Sequence, residues 1–539
     1  MSETLDRMMD VPLSPWLLFT PAARHHHRTA VVSRLSSGDV HRYTLGEFSA
    51  RAQQLMNGLD SLGIEPGERV ATLAWNGYRH LEAYFAVPCS RRVLHTLNVR
   101  LSAEELAFVM NDADDRVVMV DPDFVPLLEQ VLPSVPGVRH VIVLDARADE
   151  TSLPGALAYE QLIAGEPAHY PQPEIDERSA AALCYTSGTT GRPKGVVSTH
   201  RSIYLHAMGV ASTAGMAVGP SDCVLPQVPM FHASAWGLVH ACVGVGSKLV
   251  FYGGGLENQS FVDLIAAERV TVAAAVPTVW IGCAEQFATH QPPVTSIRHI
   301  VCGGSQPPRA LIERYRRDFG IRIIQAWGMT ETSPLASMAW PQERMRDWDD
   351  DEITTTALSQ AGVPIPGVEV SIRAEDGTEV AFDGETMGAL HVRGPWVAGS
   401  YLHGHGSESF TANGWFNTGD VAIGSPEGYF VIADRTKDLI KSGGEWISSV
   451  DMESAIMAMP GVIEAAVIAI PDDRWLERPF AYVVLAEGVS ITIEQLRAEL
   501  ERKGFARWQL PERFEEIAEI PRTTVGKFDK KTLRKRFTS

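Results

Sequence analysis

The chain has 539 residues, 45% of them hydrophobic and 21% charged, with a formal net charge of −19. That length exceeds what one hydrophobic core organises, so at least two domains are expected. The acidic balance excludes broad faces for nucleic acid or anionic lipid, which need positive charge, but leaves room for a small anion held by a few local lysines.

The opening "MSETLDRMMDVPLSPWLLF" has no basic stretch followed by an apolar core, so no signal peptide is expected, and no run approaches the length of a transmembrane helix. "RHHHR" at 24–28 reads as a solvated segment, because three adjacent histidines cannot all face one ion on a regular element. The six cysteines (Cys89, Cys184, Cys223, Cys242, Cys283 and Cys302) form no C-x-x-C pair. They read as buried reduced thiols of a cytoplasmic protein, not as a zinc site.

Further along, "HVIVLD" (140–145), "KLVFYGG" (248–254), "VTVAAAV" (270–276) and "IRHIVCGG" (297–304) read as buried strands ending in turns. Helical patterns at 260–270 and 308–320 lie between the later ones, the second with a glycine stop. This alternation predicts layered α/β sheets with ligands at the C-terminal ends of the strands. From about 360 the texture changes to short strands with Gly and Asp-Gly turns, as in a small β-barrel or meander. After "DRTKD" (434–438) α+β patterns return, which predicts a domain boundary there.

"YTSGTTGRPKGVV" (185–197) carries the strongest chemical signal. Glycines let a backbone approach a phosphate, hydroxyls and N–H groups line the concavity, and a lysine supplies charge. Thr186, Ser187, Gly188, Thr189, Thr190, Gly191 and Lys194 provide all three. Pro193 before the lysine and Gly195 after it exclude a Walker A loop, whose lysine is followed by a Mg²⁺-binding hydroxyl. In "QAWGMTETSP" (325–334), Trp327 can stack on a base while Thr330 and Glu331 hold phosphate and Mg²⁺. "NGWFNTGDVA" (413–422) holds Asp420 in a turn, where a carboxylate suits two ribose hydroxyls or makes an ordinary Asx turn. The basic segment 521–535 places Lys527 between a β-like "EIPRT" and a helix, well set to aim one ammonium.

In this order the four segments resemble the adenylate-forming superfamily of acyl-CoA synthetases, adenylation domains and luciferases, from about residue 15 to 536. "YRHLEAYFAVP", "PMFHASAW", "IKSGGEWISSVDME" and "GFARWQLPE" are most similar to medium- and long-chain fatty acyl-CoA synthetases and to methylmercaptopropionate-CoA ligases. The resemblance implies an N-terminal domain (1–433) of layered α/β sheets plus a small β-barrel, a hinge (434–438), and a small mobile α+β domain (439–539). It implies that ATP and a carboxylic acid give an acyl adenylate and pyrophosphate, and that CoA then displaces AMP. A short-chain or thioether acid is the alternative substrate, and a non-catalytic ATP-binding sensor the alternative of another class. A cytoplasmic homodimer is expected, with no nucleic-acid partner and no membrane span.

Carried over residue by residue, the resemblance puts Thr186 to Lys194 around the β- and γ-phosphates, Mg²⁺ on Thr186 and Glu331, and Thr330 on the α-phosphate. Gln325, Ala326 and Trp327 flank adenine, while Asp420 with Arg435 holds the ribose. Lys527 bridges the carboxylate and the α-phosphate, and Lys437 is the hinge about which the small domain turns. Lys441 and Trp446, in a glycine-rich hairpin, then swing in for the thiol step. Phe231, His232, Ala233, Trp236, Gly303 and Gly304 line the acyl pocket, with Trp236 as a gate that opens when ATP binds. The chain departs from its relatives at Ser90, Arg91, Arg92 and Val99, where they carry small residues and a proline. Two arginines in an apolar stretch are costly if buried unpaired, so this segment is expected either at the surface or as a weak point of the fold.

Overall fold

The structure, a computed structural model, describes residues 8–145, 153–186, 192–290, 296–435, 438–442, 445–472, 474–522 and 528–538. These form four sheets. A seven-stranded sheet runs in the order Leu157–Ala158, His140–Val143, Asp115–Val120, Arg69–Leu73, Val93–Thr96, Ala180–Tyr185 and Gly195–Thr199. It is parallel except for its last pair. A nine-stranded sheet is parallel through its centre, from Ile323–Gly328 across His299–Cys302, Val272–Ala275, Cys223–Pro226 and Lys248–Tyr252 to Ala30–Arg34, with antiparallel strands at both edges.

Parallel strands need both faces covered. Helix Tyr78–Cys89 is buried at every residue but one, because it touches strands of both large sheets and belongs to the one core they share. The neighbouring helix Leu45–Ser61 starts on a reciprocal Thr44–Glu47 capping box, a device contributing about 1 kcal/mol. The expected strands at 140–145, 248–254, 270–276 and 297–304 and the helices at 260–270 and 308–320 all form, the last closed by Gly320 in the left-handed region.

The segment after 360 is an antiparallel meander of Glu369–Arg373, Met387–Arg393, Phe416–Gly424 and Phe430–Arg435. The C-terminal part has its own five-stranded sheet and its own core around Ile440, Ile456, Val467 and Leu500. The described part of "EIPRT", residues 519–522, is not a strand: Arg522 makes an isolated bridge to Phe528, and the added strand is Phe514–Glu516. Arg534 pairs with Asp438, and the Ser449 amide donates to the Asp434 carboxylate at 2.8 Å, so the C-terminal part grips the chain on both sides of Lys437. Lys437 itself lies outside the described residues.

The Ser90–Arg92 departure is resolved by partition. Arg91 is exposed at a φ of 63°, whereas Arg92 is buried and paired: its Nε donates to the Ile64 carbonyl at 2.9 Å and its Nη2 to Asp60 at 2.6 Å. The Ser90 hydroxyl returns to the Ala86 carbonyl, and Val99 is buried. Arg91 therefore lies at the surface, as one of the two expectations had it, while the buried charge of Arg92 is compensated by Asp60. All six cysteines are buried and unpaired, and no helix among the described residues is long and apolar enough to cross a membrane.

Candidate functional site

The phosphate-loop candidate hangs between Ala180–Tyr185 and Gly195–Thr199 at the edge of the seven-stranded sheet. Its two ends are closed by reciprocal bonds: the Thr186 amide donates to the Lys194 carbonyl at 3.0 Å, and the Lys194 amide to the Thr186 hydroxyl at 3.2 Å. Tyr185 anchors the stem through a 2.6 Å bond from its hydroxyl to Asp112, and burial with that carboxylate pushes the phenol pKa up. Ser187, Gly188, Thr189, Thr190 and Gly191 lie outside the described residues, as does Lys527.

Strand Ile323–Gly328 of the nine-stranded sheet carries Gln325, Ala326 and Trp327. Gln325 is 5% exposed, and its side-chain oxygen has no hydrogen-bond partner among the described residues. Trp327 meets Phe430 edge-to-face at 5.6 Å, which fixes the plane of the indole. Directly after the strand, Thr330 and Glu331 open a one-turn helix, Thr330–Thr332. Glu331 is 5% exposed; it accepts a 2.5 Å bond from the Tyr401 hydroxyl, and its carbonyl accepts from the Ala398 amide. The Lys194 ammonium lies 4.9 Å from the centre of the same tyrosine ring. Tyr401 therefore joins the loop lysine to the acidic turn. No motif marks it; the one signal is an aromatic set in the glycine-rich "AGSYLHGHG".

Asp420 is not in a turn. It lies inside strand Phe416–Gly424, 2% exposed and opposite Arg435, while the Asx turn belongs to Asn417, which accepts from the Gly419 amide. Lys441 and Trp446 occupy paired backbone positions of a hairpin in the C-terminal sheet.

The acyl-pocket candidates divide. Ala233 to Gly237 take φ values of 45°, 49°, 49°, 54° and 75°, five consecutive left-handed residues of which only the last is glycine. Such a turn costs about 1–2 kcal/mol per non-glycine residue, so packing must hold it. That packing is visible: a Cβ on Gly303 would sit 2.9 Å from the Trp236 ring and 2.8 Å from the Ala326 carbonyl, and one on Gly304 would sit 4.0 Å from the same ring. The indole thus covers the double glycine beside the adenine candidates. Phe231 turns away into the second core, 6.1 Å from Trp75, and His232 is half-buried. His206 was not anticipated; it underlies this turn and no motif announces it.

Taken together, three layers converge on one region with hydroxyls, an ammonium, buried carboxylates, an unpartnered amide oxygen and a small-residue slot under an indole. That set can neutralise a polyanion, seat an aromatic base and admit an apolar chain.

The chain matches the AMP-binding enzyme model over residues 18–402 and the AMP-binding enzyme C-terminal domain model over residues 451–527. It is 44% identical to the long-chain-fatty-acid–CoA ligase of Thermus thermophilus, over 98% of this chain and 96% of that protein. It is 39% identical to the 3-methylmercaptopropionyl-CoA ligase of Ruegeria lacuscaerulensis, over 99% of each. Among solved structures, that of the anthranilate CoA ligase AuaEII in complex with anthranoyl-AMP aligns with a TM-score of 0.87 at 25% identity, covering 98% of both chains.

Proposed function

Because the chain belongs to the AMP-binding enzyme family, we propose that it is an ATP-dependent acyl-CoA ligase acting on medium- or long-chain fatty acids. The carboxylate oxygen attacks the α-phosphorus and pyrophosphate leaves; the CoA thiol then attacks the acyl carbon and AMP leaves. The observation that supports this reading most is the Lys194–Tyr401–Glu331 connection, which joins a cationic phosphate loop to a buried acid beside a base-stacking strand.

Two anions must meet in the first step, so neutralisation and orientation dominate the barrier. Thr186 to Lys194 take the β- and γ-phosphates, Thr330 the α-phosphate, and Asp420 with Arg435 the ribose. The orphan oxygen of Gln325 accepts from the adenine amino group, with Trp327 against the ring. Lys527 pairs the carboxylate and α-phosphate oxygens during adenylation, then leaves as the small domain turns at Lys437 within a 434–438 hinge. The Glu331 carboxylate and Thr186 hydroxyl are hard oxygen donors of the kind Mg²⁺ prefers alongside phosphate and water. Bound there, Mg²⁺ supplies charge compensation for the triphosphate. Six buried, unpaired thiols support a cytoplasmic setting, and a homodimer is the assembly we expect.

The test is CoA- and Mg²⁺-dependent AMP formation over straight-chain acids from acetate to palmitate, with methylmercaptopropionate included. A maximum at medium or long chains is expected. A maximum at short acids would favour the second reading, a methylmercaptopropionate-type ligase, which the 39% relative supports. Folded protein that binds ATP yet forms no AMP with any acid would leave only the sensor.

A further inference from the structure

We propose that His206 is a positioning residue that couples the acidic turn at Thr330–Thr332 to the turn bearing Trp236, and so sets when the acyl pocket opens. The inference rests on the ligase reading and on the gate assigned to Trp236.

His206 lies in helix His200–Ala211, buried between two segments with different tasks. On one edge of its ring, Nε2 accepts the Leu335 amide at 3.0 Å. Burial holds the imidazole pKa down at about 3, so the ring is neutral at working pH and Nδ1 carries its single proton. Leu335 is tied on its other side too: the Trp396 indole donates to its carbonyl at 3.1 Å, and the Ser333 hydroxyl donates to the Trp396 carbonyl at 2.7 Å. The segment that begins with Thr330 and Glu331 therefore cannot shift without moving the amide that holds His206.

The adjoining Cε1–Nδ1 edge of the ring abuts Gly237, where a Cβ would lie 2.4 Å from Cε1 and 2.5 Å from Nδ1. Gly237 closes the left-handed turn, and its neighbour Trp236 covers Gly303 and Gly304. A strained turn with the imidazole packed against one end and the indole seated at the other is a two-position element, because close-packed contacts transmit a displacement instead of absorbing it. A nucleotide whose α-phosphate draws in the Thr330 hydroxyl pulls on Leu335, withdraws His206 from Gly237 and lets the indole leave the double glycine.

The experiment measures dodecanoate binding by calorimetry, with and without a non-hydrolysable ATP analogue, alongside AMP formation. It compares the wild type with His206→Phe, which keeps ring volume but not the acceptor, and His206→Gln, which restores a carbonyl acceptor. Both substitutions are repeated in a Trp236→Ala background. In the wild type the analogue is expected to tighten dodecanoate by about tenfold, within the usual range of coupling between two sites. His206→Phe should cut this to about twofold at unchanged affinity for the analogue in the absence of acid, and His206→Gln should recover most of it. Neither change should matter once the indole is gone, since a coupled pair is not additive. Full tightening in His206→Phe would overturn the inference, as would an equal loss with and without the analogue that persists in the Trp236→Ala background. Absence of tightening in the wild type would overturn it even if AMP forms. If the wild type forms no AMP but tightens dodecanoate through His206, the ligase reading falls and the coupling stands.

Discussion

The Tyr401 hydroxyl donates a 2.5 Å hydrogen bond to the Glu331 carboxylate, and the two residues are seventy positions apart in sequence. Its ring also carries the Lys194 ammonium on one face. One side chain therefore orients a buried acid and steadies the loop cation that must approach the same polyphosphate.

Replacing Tyr401 by Phe keeps the ring under Lys194 and removes the hydroxyl that bonds Glu331. A hydrogen bond to a charged group contributes about 1.5–3 kcal/mol, so kcat should fall about 10- to 100-fold. The Mg²⁺ requirement should rise while the melting temperature stays close to wild type. Titrating AMP formation against Mg²⁺ checks this; an unchanged Mg²⁺ curve would mean that Tyr401 only packs.

Lys527→Met should separate the two half-reactions. Loss of a positioned cation from the adenylation site costs about 10²–10³ in rate, whereas the thiol step, in which this lysine has left, should be nearly untouched. Acid-dependent pyrophosphate release and CoA capture of a supplied acyl adenylate read the two steps apart. Equal losses in both would remove Lys527 from its assigned role.

Gly303→Ala should abolish acid activation and weaken ATP binding as well. The new methyl meets the Ala326 carbonyl at 2.8 Å and the Trp236 ring at 2.9 Å, and the carbonyl belongs to a strand that cannot yield cheaply. Trp236→Ala alone should flatten the preference among acids from C4 to C16, measured as kcat/KM for each. A preserved preference would show that the indole does not guard the pocket.

Stability should fall on mild acidification. Burial lowers the pKa of His80, His200, His240 and His299 to about 4 and that of His206 to about 3, from an ordinary value near 6.5. The unfolded chain binds protons at these sites before the native state does. Their contribution is therefore complete above pH 6.5 and is lost as the pH falls toward 4. Each histidine supplies a slope of up to about 1.4 kcal/mol per pH unit in that window, and buried Asp121, raised to about 7, opposes them with a slope of the other sign without cancelling all five. Melting temperatures from pH 8 to 4.5 should be flat above 6.5 and drop steeply below it; a flat profile down to pH 5 would contradict the burial of these rings.

Much of the architecture is legible from local pattern. "KLVFY", "VAAA" and "HIVC" read as strands because uninterrupted apolar runs end in turns, and Lys194 is found because glycines and hydroxyls cluster around it. What escapes is decided by distant partners. Arg92 looks hazardous beside Val93 and Leu94 until the Ile64 carbonyl and Asp60 come into range. Asp420 reads as a turn residue because the neighbouring Asn417, which makes the Asx turn, has the same local signature. Tyr401 and His206 sit in stretches whose pattern carries no chemistry of its own, and their roles arise only when separate layers meet.

The nucleotide candidates are shared out among those layers: Thr186 and Lys194 on the seven-stranded sheet, Gln325 and Trp327 on the nine-stranded sheet, Asp420 on the meander. A ligand seated among them acts as a rivet, since its binding free energy is realised only while all three plates stay in alignment. ATP should then protect the joints more than the plates. On warming, catalysis would disappear as the plates drift apart, before any sheet has melted, and a thermal inactivation curve would trace the seams of the molecule.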